Sequence, residues 1–282
     1  MDSVKNAIRP KTLARVIDLV AEAGVDVTHW SKYSGQHASQ NPRHCYEWAF
    51  DDGVIMIIVF SLWWSAIEPS SEGGCMYTVN ARKTANESTG ARRSRAIRMD
   101  QLLRFASVNK MPVQVILNVS KDVGSTESVG LRGLDSERWM VSSYDQETGA
   151  CELARGVVPL HTIDQFAIER EEVGADGQTV RTSNVYNRSP IVREYALRRA
   201  DGHCEYCGSR GFELPNGGIY LETHHVESLS SGGLDRLHNV VALCAGHHRE
   251  AHFGVRRGEI KTRLVDFLER SRLPDLVDIQ QN

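Results

Sequence analysis

Residues 204–207 read Cys-Glu-Tyr-Cys, and residues 221–254 read LETHHVESLSSGGLDRLHNVVALCAGHHREAHFG. Two ligand pairs of the same spacing stand out, Cys204 with Cys207 and Cys244 with His247, each with two residues between. That spacing lets each pair grip one side of a tetrahedral ion with a turn between the donors, and four protein donors without an open position describe a structural Zn2+. Cys204, Cys207 and Cys244 are half of the chain's 6 cysteines, which argues against coincidence. A module this small has a thin core, and a bound zinc adds on the order of 10 kcal/mol to it. The stretch Ile219 to His225 is strand-like, so the adjacent His224 and His225 point to opposite faces and cannot do the same job. Asn239 to Leu243 begins a second strand. Gly246 to Phe253 is a short helix on which His248 and His252, at i and i+4, project from one face and can share an ion. His247 and His248 are neighbours; the spacing from Cys244 favours His247 for zinc, and the spacing to His252 favours His248 for the second ion.

In order, Cys204, Cys207, the His224-His225 pair, Ser231-Gly232-Gly233, Asn239, Cys244, His248 and His252 resemble the HNH (ββα-metal) nucleases of the McrA kind, the modification-dependent, type IV restriction endonucleases. The resemblance covers about the last third of the chain. It implies that His224, with His248 and His252, binds one catalytic divalent metal (Mg2+, Mn2+, Ni2+ or Co2+), that His225 is the general base, and that Asn239 orients its imidazole. It also implies phosphodiester hydrolysis leaving a 5′ phosphate. Close relatives often carry four cysteines in the zinc site, where this chain has His247; Cys3His is a legitimate zinc set. Arg249, beside the metal helix face, is a candidate phosphate contact.

Working outward, Ser189-Pro190 starts a helix with an N-cap and an N1 proline, ended by Gly202. Arg193, Arg198 and Arg199 on it, and Arg256, Arg257, Lys261 and Arg263 further on, are either phosphate contacts or solvated faces. Residues 169–188 are polar and aperiodic and read as a linker, giving an expected division into 1–168, linker, and 189–282. In the first half, Leu13, Val16, Ile17 and Val20 mark an amphipathic helix stopped at Gly24. Cys45 to Phe50 alternates as a strand with Tyr46, Trp48 and Phe50 on one face, and Val54 to Phe60 reads as a strand buried on both sides. Ile97 to Ala106 is helical, Met111 to Val119 a strand, and Trp139 to Leu153 a hairpin. The predicted fold is therefore α+β: a mainly antiparallel sheet with helices, linked to a zinc-stabilised ββα-metal domain.

Two features of the first half fit DNA recognition. Arg82, Lys83, Arg92, Arg93, Arg95 and Arg98 form a basic stretch entering the Met99 helix, where cations oppose the helix dipole; Arg92, Arg93, Arg95 and Arg98 are the candidate phosphate contacts. Trp30, Tyr33, Tyr46, Trp48, Trp63 and Trp64 crowd a short stretch, and rings of this kind hold flipped bases or fill cores. Trp48 is the chosen base contact. Cys45, Cys75 and Cys151 lack metal spacing and read as core thiols.

The 282 residues carry 33 Lys+Arg against 36 Asp+Glu, a net charge of -3, so nucleic-acid binding has to come from local patches. The longest apolar run is far short of a bilayer span, which excludes an integral helical membrane protein, and the N-terminus has no signal-peptide core, so a cytoplasmic protein is expected. The resulting expectation is an endonuclease acting on double-stranded DNA that carries modified cytosine such as 5-methylcytosine, serving defence against phage, with a homodimer as one way to cut both strands. Two other classes stay open: a non-cleaving zinc-stabilised DNA-binding regulator, and an HNH nuclease aimed by a protein partner through its N-terminal half.

Overall fold

The computed structural model describes residues 2–30, 37–52, 57–70, 73–122, 128–166 and 189–271. It falls into two compact units, one of Met1–Val157 and one of Val158–Pro274. The expected linker at 169–188 lies outside the described residues, as does Tyr33.

The first unit contains helices α1 (Asp2–Ala7), α2 (Val16–Glu22) and α3 (Pro42–Cys45), then strands β1 (Ala49–Asp51), β2 (Ile58–Trp63), β3 (Ile67–Pro69) and β4 (Cys75–Val79). Helices α4 (Ala81–Asn86) and α5 (Gly90–Val108) follow, and then β5 (Gln114–Ser120), β6 (Val129–Leu134), β7 (Trp139–Tyr144) and β8 (Cys151–Arg155). Two four-stranded sheets result, ordered β1-β2-β5-β6 and β3-β4-β8-β7. All pairings in them are antiparallel except β2 with β5, so the mixed α+β class holds. Helix α5 buries Met99, Leu102, Leu103 and Ala106, the expected stripe, and β7 and β8 form the expected hairpin. Trp139 is fully buried, and its indole N–H donates to Asp135 at 2.9 Å, so the ring carries no unmet donor into the core.

Two local readings are corrected, and a third falls partly outside the described residues. The stretch from Cys45 to Phe50 is not one strand: Asn41 starts a helical turn in which the amides of His44 and Cys45 both donate to its carbonyl, and pairing begins only at Ala49. Phe50 alone of the three expected aromatics is buried, while Tyr46 is 61% exposed. The strand begun at Val54 is found at Ile58–Trp63; residues 53–56 lie outside the described set. Leu13 is exposed and precedes α2, because residues 12–14 bond to Arg132 of β6 rather than joining the helix.

The second unit opens on β9 (Thr162–Ile163), continues through α6 (Pro190–Ala200), β10 (Phe212–Glu213), β11 (Ile219–Tyr220), β12 (Glu222–His225) and β13 (Val240–Leu243), and ends in α7 (Ala245–Phe253) and α8 (Arg257–Arg270). Strand β9 pairs in parallel with β11, which draws residues from 158 onward into this unit and puts the division ahead of the expected boundary at 168. Helix α6 has the expected Ser189 cap and N1 proline, and Asp201 ends it in the left-handed region. Strands β12 and β13 run antiparallel, with His224 opposite Val241 and His225 opposite Val240. Helix α8 lays Ile260, Leu264 and Leu268, at successive i+4 steps, onto Val241 and Leu243. Each such buried side chain is worth about 1.5–3 kcal/mol, so this stripe fixes the strand pair that carries the site. No helix among the described residues is long and apolar enough to cross a membrane.

Candidate active site and metal centres

The period of two along β12 sorts its side chains. Glu222 and His224 turn toward α7, whereas Thr223 and His225 turn away. His224 Nδ1 lies 3.2 Å from His252 Nε2, which lies 3.2 Å from His248 Nε2. Three nitrogens bound at about 2.1 Å to one tetrahedral ion would stand roughly 3.4 Å apart, so this spacing suits a shared metal. Burial and the neighbouring imidazoles push His224 down to about 3, which leaves it an unprotonated donor at neutral pH. Glu222, buried, accepts from Tyr220 Oη at 2.8 Å and takes His248 Nδ1 on its other oxygen, turning His248 Nε2 to the cluster. A carboxylate behind a ligating histidine fixes ring orientation and tautomer. Sequence reasoning missed Glu222, although its i, i+2 relation to His224 was a usable signal.

The second donor set is Cys204, Cys207, Cys244 and His247, all of whose ligand atoms lie within 4.8 Å of one another. Cys244 is the N-cap of α7, and its sulfur is 3.1 Å from His247 Nδ1. Burial pushes the Cys204 thiol up to about 11, the environment of a thiolate that needs a cation beside it. Both expected donor sets are thus brought together, His247 in one and His248 in the other, and each fits a metal. Consecutive residues of α7 project about 100° apart, so the two neighbours fall into different donor sets.

His225 faces away from the three histidines, and its Nε2 lies 2.8 Å from Asp235 Oδ1. Asn239 does not hold that ring. Its oxygen accepts from the Glu227 amide at 2.7 Å, and its nitrogen donates to the carbonyls of Glu227 and Leu234 at 2.9 and 2.8 Å, so it laces the loop between β12 and β13. Gly233 completes that turn, because a Cβ there would stand 2.1 Å from Glu227 O. Asp235 was absent from the sequence reading; a loop contact ten residues downstream of His225 has no periodic signature.

An open cleft of about 480 Å³ is lined by Gln165, Tyr220, Glu222, His248, Arg249, His252 and Phe253. Arg249 is exposed beside the cluster. Arg193, Arg198 and Arg199 are committed elsewhere, to Asp164, Glu194 and Glu205. Arg256 pairs with Glu250, and Lys261 with Glu227.

In the first unit the basic stretch divides. Arg82 bonds Asp100, Tyr144 and two backbone carbonyls, and Arg98 bonds Asp51 at 2.7 Å, tying α5 to β1. Arg93 donates to Ala85 O from an exposed position. Arg92 lies 5.9 Å from the half-buried Trp48 ring, and Arg95 lies 5.7 Å from Tyr46 and 3.8 Å from Glu47. Trp30 is core, stacked on His44 at 4.4 Å. Cys75 and Cys151 are buried free thiols.

Residues 204–254 match the family model described as HNH endonuclease. The second unit carries an HNH domain. Over 81 residues the chain is 46% identical to the type IV methyl-directed restriction enzyme EcoKMcrA of Escherichia coli (strain K12), a match covering 28% of this chain and 29% of that protein. The chain therefore spans less than a third of that relative's length. Among solved structures, the type IV phosphorothioation-dependent restriction endonuclease ScoMcrA aligns with TM-score 0.30 and 13% identity, covering 78% of this chain and 51% of that one. The modification-dependent TagI restriction endonuclease aligns with TM-score 0.32 and 15% identity, covering 87% and 78%. Overlap at that level carries no argument about fold; the HNH assignment stands on the family model and on the histidine and cysteine geometry.

Proposed function

We propose that this protein is a divalent-metal-dependent DNA endonuclease of the type IV restriction class, cutting duplexes that carry methylated or otherwise modified cytosine. The observation that carries the reading is the split of His224 and His225 across β12, one joining His248 and His252, the other facing away and free of the cluster. His225 takes the proton of an attacking water. Arg249, at the edge of the cleft, grips a phosphate. His224, His248 and His252 would hold a divalent ion (Mg2+, Mn2+, Ni2+ or Co2+), which would supply Lewis-acid stabilisation of charge on the phosphate. Cys204, Cys207, Cys244 and His247 would hold a structural Zn2+.

A module whose contacts go mainly to phosphate has little sequence preference of its own, so the first unit supplies the aim. Trp48 beneath Arg92, with Arg93 and Arg95 along the same helix, is a surface where a base and its flanking phosphates are held. The preference for modified DNA is drawn from the relative named as methyl-directed. One active centre per chain cuts both strands either as a homodimer or by two successive nicks. The deciding experiment digests matched plasmids from methylating and non-methylating hosts in each of the four metals. Cleavage of the modified plasmid alone is expected. Binding without nicking in every metal selects a DNA-binding regulator, and equal cutting of both plasmids selects targeting by a protein partner.

A further inference from the structure

Asp235 has both carboxylate oxygens engaged. Oδ1 faces His225 Nε2 at 2.8 Å, and Oδ2 accepts the backbone amide of Ser189, the N-cap of α6. A carboxylate held at both oxygens cannot swing away from the ring it faces. The two side chains are only 16% and 12% exposed, so water competes weakly for the contact. Leu234, the preceding residue, is bonded through its carbonyl to Asn239, which fixes the approach of the loop. Neither Asp235 nor His225 belongs to a metal-binding donor set.

We infer that Asp235 is the positioning residue of His225. It holds the imidazole with its proton on Nε2 and leaves Nδ1 as the nitrogen that accepts a proton from water. A buried acceptor aimed at one ring nitrogen settles the tautomer, because the other tautomer would set two lone pairs against each other. The same carboxylate stabilises the imidazolium formed once the proton has moved, as in other histidine bases backed by an aspartate. The inference rests on the assignment of His225 as the base and adds to it the group that aims the ring. It also gives Asn239 its place in the site: by closing the loop on Glu227 and Leu234 it delivers Asp235.

The test uses the full chain and the variants Asp235→Asn, Asp235→Glu, His225→Ala and the double variant His225→Ala with Asp235→Asn. Asn keeps the size and an oxygen for the Ser189 amide while removing the fixed acceptor. Asp235→Asn is expected to lower kcat about 10²- to 10⁴-fold with KM for DNA, metal content and melting temperature unchanged, and to have no further effect once His225 is Ala. Asp235→Glu should recover part of the rate. Long-range 1H–15N spectra of the histidines should give His225 as the Nε2–H tautomer in the parent chain and as a mixture in Asp235→Asn. An active parent with Asp235→Asn within threefold of it overturns the inference, and so does an unchanged tautomer. Equal rate losses from Asp235→Asn with and without His225 would reduce Asp235 to a loop staple. If the parent cleaves no DNA in any metal, the base assignment falls, and the spectra still decide whether Asp235 sets the tautomer.

Discussion

Truncating His225 removes a group that acts on the barrier and little on the ground state. We expect His225→Ala to lower cleavage by at least about 10²-fold while metal content and DNA affinity stay near those of the parent; activity within tenfold would end the base assignment. In the first unit a different residue sets a pH dependence. Burial alone would raise the Asp135 carboxyl, but hydrogen bonds from Arg155, the Trp139 indole and the Glu137 amide outweigh it and hold it below the usual carboxylate range. The folded pKa therefore lies under the unfolded one, so the unfolded chain binds more protons in acid. The stabilisation is whole above about pH 4 and is lost as pH falls through the folded value. Asp135→Asn should cost about 3 kcal/mol at neutral pH, by leaving Arg155 short of its buried partner, and should flatten that acid limb in thermal melts. At this scale the sequence is legible where a period speaks: the opposed faces of His224 and His225, and the shared face of His248 and His252. Asp235 acts through a loop return, which no spacing announces, whereas Glu222 shares the face of His224 by the same period of two and could have been read from it.

Among elements, α7 is a ruler shared by two candidate metal sites, with His247 in one donor set and His248 and His252 in the other. Adding one alanine between His247 and His248 rotates everything beyond it by about 100°. We expect that variant to keep one equivalent of tightly bound zinc and its thermal stability, yet to lose binding of the second metal by calorimetry along with cleavage. Retention of both ions would mean that the helix does not set the spacing. Helices α2, α5 and α6 and the β7–β8 hairpin were readable, since amphipathic stripes, caps and a turn-rich break all act locally. Cys45 to Phe50 was misread because alternation over six residues also fits a helical turn at Pro42 followed by an exposed Tyr46 and a short strand. What decided it was the carbonyl of Asn41, a contact that the apolar pattern does not contain.

For the whole molecule, the proposed division of labour separates two kinds of arginine on α5. Arg92 and Arg93 are exposed, whereas Arg98 is spent on Asp51. Replacing Arg92 and Arg93 with alanine should weaken binding to modified and plain duplexes alike and lower the salt slope by up to about 2, while Trp48→Ala should erase mainly the preference between them. Equal binding of the parent to both duplexes at every salt concentration would end the modified-base reading and leave the HNH domain untouched. The division into two compact units falls at residue 158 and not at the polar stretch, because the second unit recruits a strand from far upstream. Ile163 pairs beside Tyr220, Asp164 holds Arg193 and Thr223, and Gln165 brackets the amide and carbonyl of Thr223, one residue from His224. In terms of inheritance, the HNH-bearing unit is not a cassette that begins after the polar stretch. A recombination joint placed at residue 189 would transplant the histidines and cysteines and strand Arg193 without its acid, whereas a joint near 158 carries the whole working piece. Exchange of first units between such chains is thus constrained to cross over on the N-terminal side of β9.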